Sequence, residues 1–188
     1  MGSVVIDMSM SLDGYIAAPN DNPEQGLGED GMRLHNWAFD DPSVFERFLA
    51  DITEGTGAVI MGRRSYDNSI DNWGGKGPLG DVPCFVVTHN AIADADPVFT
   101  FVTDGIESAL AKAREAAGAR DVFIGGGADV INQYLAAGLV DELELHVAPI
   151  LLGGGARLFD NVGPNLKLEL LRTIEAPGVA HLKYRVVT

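Results

Sequence analysis

The sequence predicts an α/β layer fold whose mixed sheet closes on an antiparallel hairpin at the C-terminus. Three observations carry this reading. Short apolar runs of strand length alternate with stretches whose apolar residues recur at helical spacing. The last two runs, Leu166 to Ile174 and Val179 to Val187, are separated only by the turn Glu175-Ala-Pro-Gly178. Mid-chain, Val122 to Ile124 leads through Gly125, Gly126 and Gly127 into Val130, Ile131, Tyr134 and Leu135. That pattern is strand, tight turn, helix.

Taken in order, Val4 to Met10 reads as the first strand. Ser11-Leu-Asp-Gly14 is a turn, and Tyr15-Ile-Ala17 resumes an extended piece. Pro19 to Gly31 is polar and rich in glycine, a surface loop. Pro42 suits the first helical position with an aspartate as cap, and Val44, Phe45, Phe48, Leu49 and Ile52 share one face, so Pro42 to Thr53 is a helix. Gly57 to Gly62 is a buried strand with Arg63, Arg64 and Ser65 at its end. Asn72 to Pro83, with Trp73 and four glycines, is loop. Pro83 to Thr88 and Val98 to Val102 are strands. Asp104 is placed to cap a helix from Ile106 to Ala117 that stops at Gly118. Leu143 to Ile150 is a long strand, and Gly153-Gly-Gly155 a second glycine cluster. There is no internal repeat and no domain linker, so residues 1–188 are expected to form one domain.

Composition narrows the function. A formal net charge of −14 argues against a basic nucleic-acid-binding face. A single cysteine, Cys84, permits no internal disulfide; it lies in an apolar strand and reads as inert core, and a cytoplasmic protein is the simplest expectation. No run approaches 18 apolar residues, and Met1 to Met10 lacks the features of a signal peptide, so no membrane partner is expected. His35, His146 and His181 show no metal-ligand spacing, and no metal is expected.

The glycine turn is the candidate binding element. Glycines let a ligand approach the backbone without meeting a Cβ, and the first N–H groups of the next helix suit a phosphate. A dinucleotide-binding Gly-x-Gly-x-x-Gly needs a third glycine, and Val130 stands in its place. No helix carries a Tyr-x-x-x-Lys pair either. A dinucleotide bound here sits in another fold. Arg63 and Arg64 follow a glycine at a strand end, in a chain with only 13 lysines and arginines. They are phosphate ligands by the geometry of the arginine fork, or surface ion pairs with the many acids.

Five segments in order resemble the dihydrofolate-reductase-like family, in particular its branch similar to the C-terminal reductase domain of the bifunctional riboflavin deaminase/reductase. They are Met8-Ser-Met-Ser-Leu-Asp-Gly-Tyr-Ile-Ala17, Ile60-Met-Gly-Arg-Arg-Ser-Tyr66, Phe85-Val-Val-Thr-His89, Ile124-Gly-Gly-Gly127 and the run from Leu143 to Gly155. The resemblance implies a three-layer α/β/α architecture with a mostly parallel sheet, and NADPH as hydride donor to a small heterocyclic substrate. By position it places Gly62, Arg63 and Arg64 at the pyrophosphate. Thr88 and His89 fall at the adenosine ribose and its 2′-phosphate. Gly125, Gly126, Gly127, Ala128 and Asp129 fall at the pyrophosphate and nicotinamide ribose, with Ile6, Ala17 and Ile124 as apolar walls. Asp13 and Asp41 are its candidate catalytic acids. Each has a plainer reading, Asp13 as a turn aspartate and Asp41 as a helix cap. Trp37 and Trp73 lie near loops that roof a planar ring or simply pack.

The substrate class implied is a ribosylaminouracil phosphate, with pterin reduction and a nucleotide-binding module without turnover as alternatives. No deaminase zinc signature is present. The apolar C-terminal hairpin at a sheet edge leads to an expected homodimer.

Overall fold

The computed structural model describes residues 2–163 and 166–187. The first strand, β1, is Val4–Ser11, and Tyr15–Ala17 (β2) follows its turn. A 3-10 turn, Gly31–His35, leads into the short α1, Asn36–Phe39. Then come Pro42–Gly55 (α2), Thr56–Gly62 (β3), Arg63–Ser69 (α3), Cys84–Val87 (β4) and Phe99–Val102 (β5). Ile106–Ala117 (α4), Asp121–Ile124 (β6), Ala128–Ala136 (α5) and Glu142–Ala148 (β7) complete the alternation. Ala156–Arg157 (β8) precedes the hairpin of Lys167–Ala176 (β9) and Val179–Val187 (β10).

Eight strands form one sheet in the order β5-β4-β3-β6-β1-β7-β10-β9. Neighbours from β5 to β7 pair in parallel, and β10 runs antiparallel to both β7 and β9. The fold is thus three-layer α/β/α, mostly parallel, with an antiparallel C-terminal hairpin. All seven residues of β3 are buried, as a strand flanked on both edges and covered on both faces requires. Strand alternation sends Ala58 and Ile60 to the α4–α5 layer, where Ala109, Leu110 and Ile131 meet them. Val59 and Met61 go to the other face, with Tyr66 of α3 and Leu49 and Ile52 of α2.

Two of the expected caps form. The Asp41 side chain accepts from the Ser43 N–H ahead of Pro42, and Gly118 ends α4 at φ 63°. Asp104 does not cap. Gly105 takes the N-cap position of α4, and the Asp104 carboxylate instead accepts from the Ser108 hydroxyl at 2.8 Å and pairs with Lys112. α2 runs two residues past the expected Thr53, β7 stops at Ala148, before Pro149, and β8 was not foreseen.

β8 shows what the second glycine cluster is for. It pairs antiparallel with β2, and Gly155, at φ 111°, lies against the backbone there. A Cβ on Gly155 would fall 2.0 Å from the Ala17 carbonyl oxygen. Only glycine permits that approach at that φ. Gly155→Ala is therefore expected to destabilise the fold by at least about 2 kcal/mol, read as a lowered midpoint in urea. An unchanged midpoint would refute the close packing of β8 on β2.

Candidate functional site

A cleft of about 960 Å³ lies over the carboxyl ends of β4, β3, β6 and β1. In open α/β sheets that is where ligands bind. The sheet order sets the order of its walls. Thr88 and His89 stand past the end of β4. Gly62 ends β3 and is followed by Arg63 and Arg64. Gly125, Gly126 and Gly127 leave β6 and enter α5 at Ala128 and Asp129. Met8 of β1, with Ile16 and Ala17 of β2 and Ala156 of β8, closes the far end. Eleven of the thirteen residues that the resemblance places at the cofactor line this one cleft. With strands about 4.8 Å apart, the four ends span roughly 14 Å.

The glycine turn is held by β3. The Gly62 N–H donates to the Gly126 carbonyl at 2.7 Å, and the Gly125 N–H to that of Ile60 at 2.9 Å. Gly126 has φ 111°, and a Cβ there would meet Ser65 Oγ at 3.3 Å and Met8 Cε at 3.5 Å. Bare backbone thus faces the cleft. Gly127 begins α5 with no side chain capping it.

Both arginines of the cleft are anchored, Arg63 beside the segment after β4 and Arg64 beside the loop after β2. Arg63 Nε donates to both oxygens of Asp67, at 2.8 and 2.9 Å, and its Nη1 to the Asn90 carbonyl. Thr88 Oγ1 donates to that same carbonyl at 3.1 Å. Arg64 forks onto Asp21 through Nε and Nη2, each at 2.7 Å. The surface ion pairs therefore exist, and both arginines lie on the cleft wall. The opposite end, at Met8, Ile16, Ala17 and Ala156, is apolar.

The two candidate acids stand apart. Neither Asp13 nor Asp41 is among the residues lining the cleft. Asp13 accepts from the Ser11 hydroxyl at 2.6 Å and from the N–H groups of Leu152 and Gly153 at 3.1 and 2.7 Å. The Ser11 bond first, then those of Gly153 and Leu152, hold its carboxyl down to about 2. It is ionised at neutral pH and has no proton to give. Asp41 is spent on Ser43 as a cap, which lowers its pKa in the same way. Ile6 and Ile124 are not walls: both are fully buried in the core, and Met8 and Ile16 take the place expected of them. Trp73 does line the cleft. Trp37 instead donates from Nε1 to Ser9 Oγ and packs 4.7 Å from His146. Cys84 is core, its thiol pushed up to about 12 by burial.

Residue spacing gave no sign of Asp21 or Asn68, both on the wall. Asp21 is one of 27 acids in an aperiodic loop, and nothing local marks it. Spacing also hid a histidine cluster on the α2 face of the sheet. His146 on β7 and His181 opposite it on β10 share one hydrogen between their Nδ1 atoms, 2.7 Å apart, and His146 Nε2 bonds Asp7 at 2.9 Å. His35 Nδ1 is buried nearby without a partner. Strand register would reveal the pair, and register is not written in a spacing.

A family model described as the RibD C-terminal domain matches residues 3–181. The chain is 27% identical over 180 residues to the uncharacterized protein YwjB of Bacillus subtilis (strain 168), covering 96% of this chain and 95% of that one. Identity is also 27% to YyaP of the same organism, over 96% and 93%. Among solved structures, a putative riboflavin biosynthesis protein from Shewanella sp. PV-4 superposes with TM-score 0.77 at 21% identity, over 99% of each chain. Dihydrofolate reductase from Enterococcus faecalis, complexed with NADP(H) and RAB-propyl, does so with TM-score 0.65 at 18%, over 98% and 96%.

The histidines give a pH prediction. Burial pushes His35 down to about 4, with His146 adding to the effect and Asp7 opposing it. Burial also lowers His181. Both are kept neutral in the fold, whereas the unfolded chain takes protons near the ordinary 6.5. The His35 contribution is complete above about pH 6.5 and is lost as pH falls toward 4, and His181 acts in the same direction. For His35 that is roughly 3 kcal/mol. Urea midpoints should drop across this window, and less so in His35→Gln. A flat profile would contradict the burial.

Proposed function

We propose that this chain, which belongs to the RibD C-terminal domain family, is an NADPH-dependent reductase of a small heterocycle. The reading deepens to a reaction of the 5-amino-6-(5-phosphoribosylamino)uracil reductase type. The observation that carries it is the order of the cleft walls. Arg63 and the Thr88 hydroxyl, which meet at the Asn90 carbonyl beyond β4, suit the adenosine 2′-phosphate. Bare glycine backbone at β6 suits a pyrophosphate, and the apolar walls around Met8 and Ala17 suit a nicotinamide ring. NADP(H) in the Enterococcus dihydrofolate reductase supports the same assignment.

When bound, NADPH supplies the hydride, and the chain supplies position and electrostatics. Arg63 and Arg64, anchored on Asp67 and Asp21, neutralise phosphate charge in a chain of net charge −14. Gly125 to Gly127 admit the pyrophosphate to backbone distance. Met8, Ile16, Ala17 and Ala156 exclude water from the reacting face. Asp13 holds the β2 turn against Leu152 and Gly153, so its part is to shape the apolar end.

A second reading, a nucleotide-binding module without turnover, draws on one observation. The carboxylates on the cleft wall are Asp21, paired with Arg64, and Asp129, bonded to Gln133. Neither is a free acid at the apolar end. We also propose a homodimer, because the edge strand β9 exposes Leu168, Leu170 and Ile174. The expected mass at micromolar concentration is that of two chains, and a monomer refutes the pairing.

NADPH should bind more tightly than NADH. Arg63→Ala should weaken NADPH by about tenfold or more, since a hydrogen bond to a charged group contributes roughly 1.5–3 kcal/mol. Equal affinity for the two cofactors, by calorimetric titration, would remove the 2′-phosphate assignment. Loss of nicotinamide absorbance, followed over a panel of pterins and aminouracils, tests turnover. Tight binding with no consumption by any of them would favour the binding module.

A further inference from the structure

We propose that Asp21 is a positioning residue that clamps Arg64, so that the guanidinium presents its remaining donors to a phosphate of the bound nucleotide. The inference rests on the cleft being a nucleotide site, and it ties the order of the loop over residues 18–31 to anion binding.

The Arg64 side chain is 72% exposed and that of Asp21 only 16%. An arginine this exposed ordinarily samples many rotamers. Here Nε donates to Asp21 Oδ2 at 2.7 Å, and Nη2 to Oδ1 at 2.7 Å and to the Asp21 carbonyl at 3.0 Å. The clamp is itself held. Asn68 of α3 donates to Asp21 Oδ2 at 3.0 Å and to the Gly26 carbonyl at 3.3 Å. Among the described residues, every hydrogen bond of Arg64 runs through Nε and Nη2, and the Nη1 donors stay free. Asp21, Arg64 and Asn68 all line the cleft.

Arg63 repeats the arrangement, with Nε on Asp67 and Nη1 on the Asn90 carbonyl. Two consecutive arginines are thus fixed by carboxylates, Arg63 beside the segment after β4 and Arg64 beside the loop after β2, and both line the same cavity. Pairs in which the guanidinium stays this exposed add little to stability, so stability alone does not account for the double clamp. Charge does not account for it either, because Asp21 weakens the positive field that an anion meets. What Asp21 adds is geometry: a fork fixed before the ligand arrives loses less freedom on binding.

A double-mutant cycle reads this directly. NADPH is titrated calorimetrically into wild type, Asp21→Asn, Arg64→Ala and the double variant, with melting curves on the same preparations. Each single change should weaken binding about tenfold, and the double variant should bind no more weakly than Arg64→Ala alone. Wild-type affinity in Asp21→Asn would overturn the proposal. So would an equal further loss from Asp21→Asn in the Arg64→Ala background, since Asp21 would then be only a strut of the loop. If Asp21→Asn does not fold, Arg64→Lys serves: it keeps the charge but loses the fork, and full affinity overturns the clamp. If wild type binds no NADPH, the reductase reading falls on its own. Inorganic pyrophosphate is then titrated into the same proteins, and no binding, or binding indifferent to Arg64, overturns the inference as well.

Discussion

Two backbone hydrogen bonds hold the site together. The N–H of Gly62 reaches the carbonyl of Gly126, and the N–H of Gly125 reaches that of Ile60. They exist because β6 is inserted between β1 and β3, so the end of β3 lies directly beside the turn that leaves β6. A chain that placed β6 at the sheet edge would leave the three glycines without this support. With it, a segment that glycine would otherwise make loose is fixed at both its entrance and its middle. α5 then starts from a defined point, and the cleft has a floor of backbone.

The same insertion explains the polarity of the cleft. Strands β4 and β3 lie on one side of β6, and their ends lead into polar segments, Thr88 to Asn90 and Arg63 to Ser65. β1 lies on the other side and is followed by β2, which is apolar and pinned by β8. A ligand lying across the strand ends therefore passes from charge to bare backbone to hydrocarbon. This gradient follows from strand order, and no single residue creates it. It also makes the anchored arginines useful. In a strongly acidic chain, an unanchored arginine has many carboxylates to choose from. Asp67 and Asp21 settle where each guanidinium sits.

Much of this was legible in the sequence. Strand and helix periodicities, Pro42 with Asp41 as cap, Gly118 as stop and the hairpin turn are local signals, and the fold realises them. The cofactor candidates were legible because they sit at strand ends, where the sequence changes from apolar run to glycine or charge. What escaped notice is long-range. Asp104 looked like a cap, but Ser108 and Lys112 drew its carboxylate away. Ile6 and Ile124 were assigned one residue pair too deep, because the last buried residue of a strand and the first exposed one look alike in an apolar run. The His146–His181–Asp7 cluster depends on the register of three strands. Asp21 depends on how a 14-residue loop folds back on α3, with Ala18 and Glu29 bonding across its neck to Leu27 and Pro19.

The apolar end of the cleft bears on substrate class. Under the proposed reading Arg63 and Arg64 serve the cofactor's phosphates, so a substrate carrying its own phosphate needs another cation. Arg157 follows Ala156, which lines that end. Its guanidinium lies 5.0 Å over the Tyr15 ring and donates to the Asp13 carbonyl. Those contacts stabilise the β2–β8 ribbon, and neither Arg157 nor Tyr15 is among the residues lining the cleft. The Asp13 carboxylate, in turn, is fully engaged with Ser11, Leu152 and Gly153. The walls at Met8, Ile16, Ala17 and Ala156 therefore bring no cation of their own, and the carboxylate of the adjoining turn is already satisfied. Under the proposed reading, an anionic tail on the substrate has no cation among those walls to meet, and what they offer is packing against a planar ring.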